Sequence, residues 1–267
     1  MPAIIEILFP LLCVFWAAIG LCVGSYLNVV IYRVPLKMST AYPPSHCPGC
    51  SSPIKWYDNI PILSYIILGG KCRNCGCRIS PRYMLVEAAN MLLWVACALI
   101  HGPDSLPWAV ISSIACSVLL CIAFIDLEHM IIPDRFQIIL LVLGVMALAA
   151  SFFHEDSVSW VDRLIGLAIG GGGFTLIYLI YLWIRKQEGM GIGDIKLVAA
   201  LGLLLGPWQL LIAIFAASLS GAIILVILQR VQGESGKEYP FAPFIAAGAL
   251  IAILFGQQIQ SFYLGLF

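Results

Sequence analysis

The sequence predicts an all-α polytopic membrane protein, with about eight transmembrane helices and a small cytoplasmic four-cysteine zinc insert between the first and the second. Three observations lead there. Of the 267 residues, 61% are hydrophobic and only 10% are charged, against about 25% charged in an ordinary soluble domain. The apolar residues fall into runs of bilayer-spanning length, and the charges crowd into short stretches between them. One of those stretches carries two pairs of cysteines, and two others carry an aspartate at the edge of an apolar run. So little polar surface excludes a water-soluble enzyme, a nucleic-acid binder and a disordered linker. The 14 basic and 14 acidic residues cancel, so placement, and not net charge, carries the information.

A helix needs about 20 apolar residues to cross a bilayer. On that template the spans fall at residues 4–31, 84–100, 107–125, 137–153, 161–184, 195–206, 209–229 and 242–264. The first reads as a retained helix and not a cleaved signal peptide, because no basic segment precedes it and the apolar run is too long. The sixth is short and ends at Gly206-Pro207, so it and the seventh can also be read as one broken element. Gly170–Gly173 lies inside the fifth, where either close helix packing or a flexible face would use it. Orientation follows from the excess of Lys and Arg in cytoplasmic loops. With the N-terminus outside, every basic residue except Arg163 falls on the cytoplasmic side: Arg33 to Arg82 in the first connection, then Arg135, then Arg185, Lys186 and Lys196, then Arg230 and Lys237.

Of the ten cysteines, Cys13, Cys22, Cys97, Cys116 and Cys121 lie in apolar runs and read as small packing residues. The others crowd into the polar insert at 32–83, which contains CPGC at 47–50 and CRNC at 72–75 with 21 residues between the pairs. Two such knuckles at this separation are the pattern of a tetrahedral tetrathiolate zinc site with Cys47, Cys50, Cys72 and Cys75 as ligands. Four ligands leave no open position, so the metal would be structural. It would also supply folding energy to a segment too small and polar to build a core. Gly49 and Gly76 suit the knuckle turns if these need positive φ. Cys77 is a surplus candidate that could replace Cys75, and His46 is a weaker one. Unrelated thiols or a redox pair are the competing readings; a reducing cytoplasm disfavours structural disulfides there.

Ionisable residues at the edge of a span are expensive and usually functional. Asp126, in CIAFIDLEHMIIPDRF, ends the third span, and Asp194, in EGMGIGDIKLV, opens the sixth; both fall on the cytoplasmic face. Two readings stand open. The aspartates can share a proton and act as an acid–base pair on a peptide bond, with glycines at 189, 191 and 193 allowing close approach. Alternatively they mark helix ends, as a carboxylate at a helix N-terminus does and as Glu128, Asp134 and Glu188 are expected to. A transporter with a carboxylate ion site, or an adaptor docking through the insert, are the other function classes.

Taken together, the motifs resemble those of the type IV prepilin leader peptidases, which process prepilins and type II secretion pseudopilins. The resemblance rests on GSYLNVVIYRVP at 24–35, the tetracysteine insert with WYDNIPILSYIILGGKCRNC at 56–75, ISPRYMLVE at 79–87, IDLEHMIIPD at 125–134, GMGIGDIKLVAALGLLLG at 189–206 and YPFAPFIAAG at 239–248. It implies a GxGD-type intramembrane aspartic protease with Asp126 and Asp194 catalytic, in the bacterial inner membrane. It implies cleavage after a glycine on the cytoplasmic side, then N-methylation of the new N-terminal residue, usually Phe, with S-adenosylmethionine. It implies zinc on Cys47, Cys50, Cys72 and Cys75, and an insert linked to methylation. The expected partners are prepilin and pseudopilin substrates and the lipid bilayer, with no nucleic acid. The expected segments are 1–31 as the first helix, 32–83 as the zinc domain and 84–267 as the protease core. Glu87 is a candidate leader-facing or methylation-site residue, or simply a helix N-terminal carboxylate. The chain departs from the family at Gly69-Gly70-Lys71, where an arginine is common, at Met84, where proline is common, and at Arg135-Phe136-Gln137, where leucine-threonine is usual.

Overall fold

The computed structural model describes residues 2–152, 158–187, 189–232 and 239–266. Glu188, Lys237 and most of the expected outer loop at 153–157 lie outside the described residues. Among the described residues the chain is helical, with no strand and with two isolated β-bridges, both in the insert. It divides into two compact units, Met1–Cys121 and Ile122–Phe267.

In the first unit, helix α1 (Pro2–Arg33) and, beyond the insert with its short helix α2 (Leu63–Ile67), helix α3 (Arg82–His101) pack side by side. Helix α4 (Leu106–His129) begins in this unit and ends in the second. Small residues bring α1 and α3 together, as they do between membrane helices. A Cβ on Gly20 would lie 2.9 Å from Cβ of Trp94, and one on Gly24 would lie 2.9 Å from Cα of Glu87. Side-chain amides fasten the pair on either side of that contact. Asn28 Nδ2 donates to the Tyr83 carbonyl at 3.1 Å, and Asn90 Nδ2 donates to the Gly20 carbonyl at 2.7 Å. The buried indoles are satisfied too: Trp16 Nε1 donates to Ser113 Oγ at 3.1 Å and Trp94 Nε1 to Ser117 Oγ at 2.8 Å. A buried polar group without a partner costs about 1–3 kcal/mol, so these pairings are what permit polar side chains in a lipid-solvated core.

In the second unit, helix α5 (Asp134–Ala150) is followed by α6 (Trp160–Leu167), a π-helical turn (Ala168–Gly173) and α7 (Phe174–Arg185), which together make one continuous rod. Ser159 and Asp162 start it with a capping box. Then come α8 (Ile192–Leu205), α9 (Pro207–Gln232) and α10 (Ala242–Leu264). Every span the sequence predicts is therefore helical. Six helices among the described residues are long and apolar enough to cross a membrane; α5, with 17 residues, and α8, with 14, fall short of that length. Gly206, at φ +79°, ends α8, and Pro207 opens α9, so the two are separate helices.

Helix α8 is apolar on every side beyond Lys196, and nine of its residues from Ile195 to Leu205 are buried. It can be, because its neighbours present backbone. Gly166 of α6 and Gly202 of α8 face each other so closely that a Cβ on either would strike the other's carbonyl oxygen. Gly170 meets the Val198 carbonyl in the same way, and Gly144 of α5 accommodates Leu203. Within the four-glycine run, packing thus explains Gly170 and Gly171, whereas Gly172 and Gly173 face open space. Arg163, the one basic residue expected outside, is buried and donates to the carbonyl of Leu204 in the last turn of α8. A cation there satisfies an orphan carbonyl and suits the dipole.

Gly170→Ala should therefore destabilise the protein by about 1–3 kcal/mol, the usual cost of overpacking, while Gly172→Ala should cost nothing. Thermal midpoints of the two variants in detergent measure the difference.

Candidate active site and metal centre

Asp126 lies in the last turn of α4 and Asp194 in the first turn of α8. Asp126 is buried, and its Oδ2 accepts from the backbone N–H of Ala242 at 3.1 Å. Ala242 is the first residue of α10, so the carboxylate satisfies one of the orphan N–H groups at that helix start and sits at the positive end of its dipole. Asp194 accepts from the Gly191 backbone N–H. Burial first, and then the charge of Asp126, hold the Asp194 carboxyl above the usual carboxylate range. The two acids therefore share one electrostatic neighbourhood, which sequence position alone left open.

The segment leading into Asp194 is held from two sides. A Cβ on Gly189 would collide with the Tyr181 ring, and one on Gly191 would come within 3.2 Å of Asp194 Oδ2. None of Gly189, Gly191 and Gly193 has positive φ, so none of them makes a left-handed turn. Gly193 has only ordinary contacts, and its carbonyl accepts from Gln137 Nε2 at 2.9 Å. Asp134, expected to be interfacial, is exposed and pairs with Lys196 at 2.8 Å.

The insert folds as two copies of one turn, 25 residues apart. Ser51 N donates to Cys47 O at 2.8 Å, and Gly76 N to Cys72 O at 2.9 Å. Cys47 N donates to Ser52 O at 2.9 Å, and Cys72 N to Cys77 O at 2.8 Å. The bridges His46↔Pro53 and Lys71↔Arg78 close both turns equivalently. The residue after the second cysteine takes the left-handed backbone: Gly76 at φ +71°, as expected, and Ser51 at φ +56° where the expectation was Gly49. Gly49 is small for another reason, because a Cβ there would lie 3.1 Å from Cys77 Sγ.

The turns bring the ligand atoms of Cys47, Cys50, Cys72 and Cys75 within 4.8 Å of one another, a set that could hold a metal ion. The Cys47 and Cys75 sulfurs are 3.8 Å apart, matching the edge of about 3.8 Å that a tetrahedron with 2.3 Å metal–sulfur bonds requires. His46 is not part of the set; its ring approaches the Pro44 carbonyl instead. Cys77, the surplus thiol, lies 3.2 Å from Cys47 Sγ.

Residues 18–101 match the bacterial peptidase A24 N-terminal domain, and residues 113–226 match the type IV leader peptidase family. A prepilin leader peptidase/N-methyltransferase of Dichelobacter nodosus is 35% identical, with 95% of each chain covered. Proteins of the same name from Pseudomonas aeruginosa and Aeromonas hydrophila are 36% and 37% identical, each over 92% of this chain and 91% of their own. The chain belongs to the type IV leader peptidase family. No solved structure matches it.

Within that family assignment, Asp126 and Asp194 both fall in the leader peptidase match, and the cysteine set and Glu87 fall in the N-terminal match. Glu87, on α3, is buried, and its Oε2 accepts from the Ile62 backbone N–H at 2.7 Å. Two contacts were not legible in the sequence. The Ala242 N–H on Asp126 comes from a backbone group 116 residues away. Gln137 belongs to the stretch that departs from the family pattern, and only the fold shows it reaching the peptide before Asp194.

Proposed function

We propose that this protein cuts the leader from type IV prepilins and type II secretion pseudopilins with Asp126 and Asp194, at the cytoplasmic face of the bacterial inner membrane, and then N-methylates the new N-terminus. The electrostatic proximity of the two carboxyls at the ends of α4 and α8 carries the reading. The relatives' name, prepilin leader peptidase/N-methyltransferase, supports both activities. The eight-span topology, with 32–83 inside, follows from the placement of the basic residues.

The chemistry divides between the acids. Both carboxyls are buried, which favours the proton; Asp126 also accepts the Ala242 N–H, whereas Asp194 also faces the charge of Asp126, so Asp194 is assigned the proton. Asp126 then takes a proton from a water as that water adds to the carbonyl carbon of the leader's last glycine. Asp194 donates its proton to the carbonyl oxygen, where negative charge develops. As the tetrahedral adduct collapses, Asp194 takes a proton back from one of its hydroxyls, the C–N bond breaks, and Asp126 gives its proton to the leaving nitrogen, releasing the mature chain with a free amine and restoring both acids. The Gln137–Gly193 bond and the seating of α8 hold the Asp194 peptide in place, so little reorganisation is left for the reacting state.

The cysteine set fits zinc: four soft thiolate donors with sulfur spacing of tetrahedral size. Cys47, Cys50, Cys72 and Cys75 would hold it, and its contribution would be to fix the insert. S-adenosylmethionine is the co-substrate that would provide the methyl group.

Incubating the purified protein with a prepilin, with and without S-adenosylmethionine, and weighing the products tests both activities together. The expected products are a chain cut after glycine and, with the donor, one methyl heavier. Asp126→Ala and Asp194→Ala should each lower cleavage at least ~100-fold while the protein still inserts; near-normal turnover by either would remove it from the mechanism. Because one carboxyl must keep a proton, cleavage should fall as pH rises through the raised pKa of the pair, with a midpoint above the ~3.9 of an ordinary aspartate. A decline centred at or below that value would contradict the assignment. Elemental analysis should find about one zinc per chain, lost in Cys72→Ser but retained in Cys77→Ser; loss in Cys77→Ser instead would make Cys77 the ligand.

A further inference from the structure

Glu87 is a buried carboxylate that the cleavage mechanism does not use. It is 8% exposed, at the closest approach of α1 and α3, with Gly24 packed against its own Cα. The Asn28–Tyr83 and Asn90–Gly20 bonds hold the helix pair on either side of it. Its carboxylate receives two neutral donors, the Ile62 N–H at 2.7 Å and the Ser25 side chain. Among the described residues it forms no ion pair with a basic side chain. A buried carboxylate normally has a cationic partner, because desolvation otherwise costs too much.

The loop that reaches Glu87 is strained to do so. Ile62 has φ +59° and ψ −50°, and Leu63 N donates to Pro61 O at 2.6 Å. This is the γ-turn of positive φ, rare for any residue and worst for a β-branched one. Backbone strain of about 1–3 kcal/mol persists where the surroundings over-determine it, and it clusters at functional sites. Here the strained turn aims an N–H at a carboxylate that already lacks a cation.

We propose that Glu87 is the binding residue for the free α-ammonium of the cleaved substrate, and that it takes the proton this group must lose before methylation. The proposal rests on the methylation reading above. An ammonium matches the vacant acceptor positions because it is cationic and has three N–H donors, whereas a sulfonium has the charge but no donor. In the step, an ammonium N–H gives its proton to the Glu87 carboxylate. The freed nitrogen lone pair then forms the new N–C bond with the methyl group, as that group's bond to sulfur breaks and leaves its electron pair on sulfur. Protonated Glu87 returns the proton to water.

The test uses the full-length protein in detergent and a synthetic peptide with the sequence of a prepilin after leader removal, in two forms: free α-amine and N-acetylated. Binding is measured without methyl donor, so it is read independently of cleavage. Wild-type protein should bind the free amine at least tenfold more tightly than the acetylated form. Glu87→Gln can still accept the Ile62 N–H and should fold, as judged by zinc content and thermal midpoint. It should lose that preference to within threefold, methylate the free-amine peptide at least 100-fold more slowly, and bind S-adenosylmethionine as wild type does. The proposal is overturned if the wild-type protein shows no preference for the free amine, if Glu87→Gln keeps the preference, or if the variant loses affinity for S-adenosylmethionine instead. A wild-type protein that fails to cut any prepilin would count against the cleavage reading alone.

Discussion

Backbone-to-backbone seating of α8 is the constraint on which the second unit depends. A helix of 14 residues is too short to find stability by spanning a bilayer, so it must be enclosed by protein. Gly166 and Gly170 on one side and Gly144 on another remove the side chains that would otherwise hold neighbours off, and Gly202 does the same from within α8. Dispersion contacts between close backbones replace the hydrophobic driving force that lipid does not provide. A side chain at Gly166, Gly170 or Gly202 would strike a carbonyl and push the helices apart. Asp194, one turn from its start, inherits that fixity, and Arg163 secures the opposite end.

Polar groups follow the same economy in the first unit. Asparagine amides, serine hydroxyls and indole N–H groups are paired across helices, and their bonds lie beside the glycine contacts that bring the helices close. The insert has little core of its own; beyond Arg33 and Val34, which adjoin the end of α1, its buried residues are Cys47, Ser64 and Gly70. Its order comes instead from two equivalent turns that gather sulfurs. Tyr57 stacks against the guanidinium of Arg73, which pairs with Asp58 at 2.6 Å. Asp58 is half-buried but Arg73 is exposed to solvent, so that ion pair adds little on its own.

Much of this was legible in the sequence because membranes and metals leave coarse signatures. Apolar runs gave the long helices, though not α2 inside the insert, and the spacing of Cys47, Cys50, Cys72 and Cys75 gave the metal set that the fold assembles. Chemistry that depends on tertiary approach was not legible. Ser51 adopts positive φ because its knuckle copies the one ending in Gly76, which residue type alone does not announce. Ala242 reaches Asp126 through a backbone N–H, a group every non-proline residue carries, so no motif could mark it. Gln137 lies in a stretch that departs from the family pattern, and its reach to Gly193 emerges only once α5 and α8 are packed. The strained turn at Ile62 is likewise invisible in a stretch that reads as an ordinary Pro-containing loop.

The central claim is that Asp126 and Asp194 act as one proton-sharing unit. Groups that act as a unit are grossly non-additive when removed. A double-mutant cycle on leader cleavage, with Asp126→Asn, Asp194→Asn and the pair together, tests this most directly. A shared proton predicts that the double variant is no slower than the slower single variant, within about threefold. Losses that multiply across the two sites would show that the carboxyls work independently and would contradict the account.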